Sequence, residues 1–192
     1  MAKVELGTRR VFTNLKYMYF TPWEDESTLG EDTYDLLDIV GDTTSVEQDE
    51  NDVNEIPHEL KAEPLYETTD LGNKTFTTEC IDMQNIILGE LMGWDVDEAG
   101  TAFAPINYKD LYCKIELGFN STDDIVVLPK VKLNSRATLA SMKTDVSRGT
   151  IAGTCYAAYV TSGTKKGMTD FAVIPAANVG SYTVEAKAPT GA

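Results

Sequence analysis

Alternation of apolar and polar residues dominates this chain. Leu111, Cys113, Ile115, Leu117 and Phe119 alternate with Tyr112, Lys114, Glu116 and Gly118, a two-residue period that predicts a strand with one apolar face. Residues 10–20 read the same way, with Val11, Thr13, Leu15, Tyr17 and Tyr19 on the parity expected to be buried. Over residues 74–81, Phe76, Thr78 and Cys80 share one face and Thr75, Thr77 and Glu79 the other. The pattern predicts further strands over 36–40, 43–47, 125–133, 138–142, 150–160 and 179–187, with Gly41-Asp42 as a bend. Pro129 lacks a backbone donor, so its strand must be an edge strand or carry a bulge there.

One segment has a helical period. Asp82 can cap backbone donors, Met83, Ile86, Ile87 and Leu91 fall at i, i+3, i+4 and i+8, and Gly93 supplies a stop. The expectation is a short amphipathic α-helix of about three turns that packs on a sheet. Gly89 in its interior predicts a close backbone approach, and Trp94 extends the apolar contact.

Residues 21–33 carry Pro22, Gly30 and five acids and read as a surface loop, long enough to be functional or ordered by a partner. Trp23 and Leu29 are its candidate anchors. Residues 47–52 are too charged to bury and precede moderate β character over 53–60, which predicts a projecting hairpin or excursion, with a second extended loop over 49–56. Leu71-Gly72-Asn73 reads as a turn and residues 162–167 as a flexible exposed loop. With 192 residues, no internal repeat and no Gly-, Ser- or Pro-rich linker, the chain reads as one domain over 1–192. The expected architecture is mainly β: an antiparallel β-sandwich or barrel-like domain with one short flanking α-helix. Short strands leave edges, and pairing between copies is one way to cover them.

Charge sharpens this picture. Sixteen basic against 31 acidic residues give a net charge of -15, which opposes binding to a phosphate backbone. Residues 1–100 hold 24 acids and 6 bases, and residues 101–192 hold 7 and 10, so the two halves stand at -18 and +3. Such asymmetry suits either a solvated face or attraction between oppositely charged regions of different copies. Cys80, Cys113 and Cys155 are too widely spaced for a zinc or redox motif and predict reduced, buried thiols. The first ten residues lack a signal-peptide pattern, and no run approaches the about 18 apolar residues that cross a bilayer, so cytoplasmic synthesis without a membrane anchor is expected.

Candidate chemistry is sparse. His58 is the only histidine and no G-x-S-x-G elbow occurs. Residues 95–100 match the start of a calcium loop, but Ala99 and Ile106 stand where positions five and twelve need oxygen ligands. Gly72-Asn73-Lys74-Thr75 lacks the earlier glycine of a phosphate-binding loop, and Ser162-Gly163-Thr164-Lys165 is a short match to S-x-x-K. No catalytic, cofactor or metal residue is expected, and the protein does not read as an enzyme.

The order of features is more telling. Ile39-Val40-Gly41-Asp42-Thr43-Thr44-Ser45-Val46-Glu47-Gln48-Asp49 precedes an acidic loop, a proline-containing stretch, Leu71-Gly72-Asn73-Lys74-Thr75-Phe76-Thr77-Thr78-Glu79-Cys80 and the capped helix. Over residues 36–95 this resembles the major tail tube proteins of tailed bacteriophages. The resemblance implies a virion subunit that assembles in the host cytoplasm into stacked hexameric rings, with strands of each copy joining an inner barrel through which DNA passes. Other copies of the chain, a tape-measure protein and a tail terminator are the implied partners, with DNA a transient passenger that an acidic lumen would not retain. Glu47, Asp49 and Glu79 are the candidate lumen-lining residues. The two loops supply candidate contacts between subunits or rings in Trp23, Leu29, Glu50, Asn51, Asp52 and Val53, with Lys165 and Lys166 positioned by charge to meet acids of an adjacent ring. A tail terminator, a capsid decoration protein and a carbohydrate- or surface-binding β-sandwich remain the alternatives.

Overall fold

The run Ile125-Val126-Val127-Leu128-Pro129 is buried on both parities, because hydrophobic clusters lie against both faces of its strand. The computed structural model describes residues 12–56, 66–81, 84–107, 109–138 and 147–187, with the backbone alone along 52–56 and 66–70. Its first eight strands are β1 (Leu15–Pro22), β2 (Tyr34–Asp35), β3 (Ser45–Gln48), β4 (Asp52–Ile56), β5 (Tyr66–Asp70), β6 (Lys74–Cys80), β7 (Asp95–Val96) and β8 (Ala102–Phe103). There follow β9 (Tyr112–Phe119), β10 (Thr122–Leu133), β11 (Arg136–Thr138), β12 (Arg148–Tyr156), β13 (Ala158–Ser162), β14 (Lys165–Thr169), β15 (Ala172–Ile174) and β16 (Thr183–Glu185).

Among the described residues the fold is mainly β and every strand pairing is antiparallel. A large sheet runs β2-β1-β9-β10-β12-β6-β3, with β11 added to β12 and β15 to β10. A smaller sheet runs β14-β13-β16. The first cluster takes Met18, Phe20, Phe76, Ile115, Leu117, Leu128 and Ile151 from one face of the large sheet and Ile87, Leu88 and Leu91 from the helix. The second joins Ile125, Val127 and Trp23 to Ala158, Val160 and Val184 of the smaller sheet. Each fully buried aliphatic side chain contributes about 1.5–3 kcal/mol, so β10 ties both clusters to one strand.

Pro129 sits mid-sheet and is accommodated by a bulge: the register with β9 shifts between Leu128 and Val131. A second bulge corrects the first expected strand. Its register with β9 shifts between Leu15 and Tyr17, so Leu15 faces the first cluster, Tyr17 turns to the second, and Met18 and Phe20 become the buried pair. The alternations of β6 and β9 hold as expected, with Phe76, Thr78, Cys80 and Cys113, Ile115, Leu117 buried.

Other expectations change in extent. Residues 36–40 do not form a strand, because Asp38 adopts a φ of 53° and bends the chain. Instead Leu36 N–H donates to Met18 O, and Val40 N–H to Glu79 O, so the segment crosses from the β1 side to the β6 side of the large sheet. Residues 150–160 divide into β12 and β13, which belong to different sheets. The strand expected over 179–187 is only β16, and the one expected over 138–142 begins earlier as β11, its remainder lying outside the described residues. Residues 162–167 form no flexible loop; they are the tip of the β13–β14 hairpin, turned at Gly163.

The flanking helix is shorter than expected, and its centre, Ile87–Leu91, is π-helical. Asp82 and Met83, the expected cap and first apolar residue, lie outside the described residues. Gly93 does end the helix, with φ at 72° in the left-handed region glycine favours. Gly89 is not a point of close approach: a Cβ there would meet nothing nearer than 3.9 Å.

Candidate functional site

Two acidic segments, residues 49–56 and 21–33, are placed differently on this frame. The first begins where β3 leaves the large sheet. β3 pairs with β6 and β4 with β5 at positions whose residue numbers advance and retreat together, from Ser45↔Thr77 through Gln48↔Lys74 to Asp52↔Asp70 and Ile56↔Tyr66. One hairpin register therefore runs through both pairs. Leu71-Gly72-Asn73 is accordingly not a reversing turn but a joint in one arm of that hairpin. Asp49 N–H donates to Asn73 O and Gly72 N–H to Asn51 Oδ1 across it. A Cβ on Gly72 would collide with the Asp49 carbonyl, so the joint requires glycine. Beyond it, β4 and β5 pair only with each other among the described residues, a ribbon of about 17 Å at 3.4 Å per residue. Glu50 and Asn51 lie exposed at the joint, and Asp52 and Val53 begin β4.

Glu47 and Glu79 share one face of the large sheet, the face turned away from the first cluster. Glu47 lies opposite Thr75, which has the parity of Glu79. Asp49 is exposed at the joint. The register places Arg136, Arg148, Lys130 and Lys132 on that same face. Arg148 Nη1 donates to Glu79 Oε2 at 3.0 Å, and Lys132 Nζ lies 2.9 Å from Asp110 Oδ2. The face is therefore mixed in charge rather than uniformly acidic, with Glu79 neutralised in place and Glu47 exposed.

The second segment, residues 21–33, is folded back on the body. Trp23 is only 6% exposed, packs in the second cluster, and its Nε1–H donates to Pro129 O at 3.2 Å. Leu29 bridges to Trp23 and packs against the same cluster. Both side chains pack within their own chain. Between them, Asp25 holds a tight turn: its Oδ1 accepts from Ser27 N at 2.6 Å and Thr28 N at 2.8 Å. Hydrogen bonds from the Ser27 hydroxyl and backbone, with those of Thr28, hold this carboxyl below its ordinary value.

This segment walls a cleft of about 660 Å³ with Glu90, Lys109, Asp110 and Tyr112. Lys130 reaches its wall, with Nζ 2.6 Å from Glu26 O, 5.2 Å from the Trp23 ring centre and 4.5 Å from that of Tyr112. Neither the cleft nor the lysine perched on its aromatic wall is legible from spacing, because residues 23, 112 and 130 meet only through sheet register. Tyr112 and Tyr156 lie edge to face at 6.5 Å, with the Tyr112 ring occupied by lysine. Lys165 and Lys166 are exposed on β14, the outer strand of the smaller sheet.

The sites of other candidate chemistry have local explanations. Asp97 Oδ1 accepts from Thr101 N at 2.7 Å and shapes the turn between β7 and β8, which holds its carboxyl low. Lys74 pairs with Asp170 at 2.7 Å. Burial pushes the thiol of Cys155 up to about 11 and raises that of Cys113 further, so both stay protonated. His58 lies outside the described residues. Among the described residues no group of three or more His, Cys, Asp or Glu is arranged to hold a metal, and no helix is long and apolar enough to cross a membrane.

No family model and no curated protein matches the chain. Among solved structures it is similar to a chain in the cryo-EM structure of the anti-feeding prophage (AFP) baseplate, 6-fold symmetrised. The match has 11% identity, covers 89% of this chain and 99% of that chain, and has a TM-score of 0.38.

Proposed function

We propose that this protein is a structural subunit of a phage virion that polymerises into stacked hexameric rings, forming a tail tube through which DNA leaves. The observation that carries the reading is the hairpin arm. A ribbon that keeps the register of the sheet yet leaves it, and pairs only with itself among the described residues, presents strand edges. Such edges must be blunted, covered or paired, and pairing with neighbouring copies turns a liability into an assembly contact. The order of features over residues 36–95 supports the same reading, as does the opposition of an acidic first half to a mildly basic second half.

On this reading the partners are other copies of the chain, with a tape-measure protein and a tail terminator at the ends, in a virion tail assembled in the host cytoplasm. The protein performs no catalysis and uses no cofactor. Glu47 and Asp49 supply the lumen charge that keeps DNA from adhering, while Glu79 contributes less because Arg148 answers it. Negative-stain microscopy of the purified protein tests the proposal. Long hollow tubes are the expected result; lone rings point to a terminator or decoration role, and persistent monomers reject assembly. A map of the tube with Glu47 and Asp49 away from the lumen would reject their assignment alone.

A further inference from the structure

We propose that the acidic cleft walled by residues 22–32, Glu90 and Asp110 receives the lysine-bearing tip of the β13–β14 hairpin from a second copy of this chain. The inference rests on the self-assembly proposed above and names one of its contacts.

The cleft gathers more acid than base, with Lys132 answering only Asp110 among its carboxylates. Seven carboxylates line it against one lining lysine, Lys109. Glu24, Glu31 and Glu90 are exposed and have no ion pair among the described residues. Carboxylates gathered within about one Debye length of 8 Å repel one another at physiological salt, and a cation placed among them relieves that repulsion. The wall already shows how an ammonium is held. Lys130 Nζ donates to Glu26 O while lying over the faces of Trp23 and Tyr112. Backbone oxygen, aromatic faces and carboxylates together are the chemistry that recognises a lysine.

The complementary surface is on the same chain. Lys165 and Lys166 follow the Gly163-Thr164 turn, are exposed, and have no ion pair among the described residues. β14 pairs with β13 on one side and has no described neighbour on the other. Lysines at a free edge disfavour pairing of one β14 with another, so a partner surface must differ from β14 itself. A contact between two unlike surfaces is heterologous, and heterologous contacts generate closed rings or open stacks. A cleft of about 660 Å³ falls within the range of roughly 300–1,000 Å³ of formed binding sites.

The test uses the full chain and reads the critical concentration for assembly by sedimentation and negative-stain microscopy, with circular dichroism reporting folding. The double variant Lys165→Glu/Lys166→Glu is expected to raise the critical concentration about tenfold or more, as is Glu31→Lys/Glu90→Lys. The four-fold variant carrying both reversals is expected to recover most of the loss. Should a reversal unfold the chain, Lys165→Gln/Lys166→Gln gives the same comparison without added repulsion. Wild-type assembly left unchanged by the lysine variants overturns the contact while leaving the tube reading standing. Loss on cleft reversal alone overturns it too and gives the cleft to a different cation, whereas a wild-type chain that never assembles overturns the tube reading itself.

Discussion

Residues 21–33 and 49–56 look alike on paper: both are acidic, both interrupt β patterns, and both are expected to reach outward. The structure treats them in opposite ways. The first is stapled to the body by Trp23, whose ring fills the second cluster and whose indole N–H reaches Pro129 O, and it is tightened by the Asp25 turn. The second leaves the body as β4, paired with β5 and with nothing else among the described residues. One buried aromatic residue separates the two outcomes, because it gives the first segment apolar area to bury and a long-range partner to bury it against. Acidity says that a segment is solvated; it does not say whether the segment is fastened.

The sharpest way to break this contrast is to remove the fastening. Trp23→Ala is expected to cost about 3–5 kcal/mol of stability, measured by urea unfolding, since the ring leaves a cavity and loses its hydrogen bond. Deletion of residues 50–54, which removes the first three β4–β5 pairs but no residue of either buried cluster, is expected to cost less stability than Trp23→Ala while abolishing tube growth, seen by microscopy. Equal losses of stability from the two variants would erase the distinction. Lys130→Met, which removes an ammonium from the Trp23 and Tyr112 rings, should cost about 0.5–1 kcal/mol in the same unfolding measurement.

The smallest effect is one of pH. The folded Asp25 carboxyl lies below its ordinary value of 3.8, so its contribution is present above that value and is lost as pH falls through the lower folded value. Asp25→Asn is therefore expected to flatten the acid limb of the stability profile below about pH 4 and to leave the profile between pH 6 and 8 parallel to the wild type. An unchanged acid limb would show that the turn does not couple to folding.

Much of the fold is legible in the residues themselves. The alternations of β6 and β9 identify their buried faces, Gly93 marks the end of the helix, and three widely spaced cysteines signal buried thiols. Where local pattern misleads, a specific device intervenes. A bulge at Lys16 moves burial from one parity of β1 to the other, and a one-residue insertion of that kind leaves composition and average period almost untouched. The π-helical turn compresses an apparent three-turn helix. Gly72 looks like a turn residue and is a joint, since a close approach and a reversal both select glycine.

The candidate sites divide along the same line. Residue types determine that the first half is acidic, that Glu47, Glu79 and Thr75 alternate on strands, and that no familiar catalytic spacing occurs. Only the tertiary structure brings Arg148 to Glu79, Lys130 to Trp23 and Tyr112, and seven carboxylates to one cleft. The physical reason is range. Periodicity and capping act between residues a few positions apart, and those the sequence states directly; ion pairing and side-chain hydrogen bonding join residues 69 or 106 positions apart, and these exist only once the strands have found their neighbours.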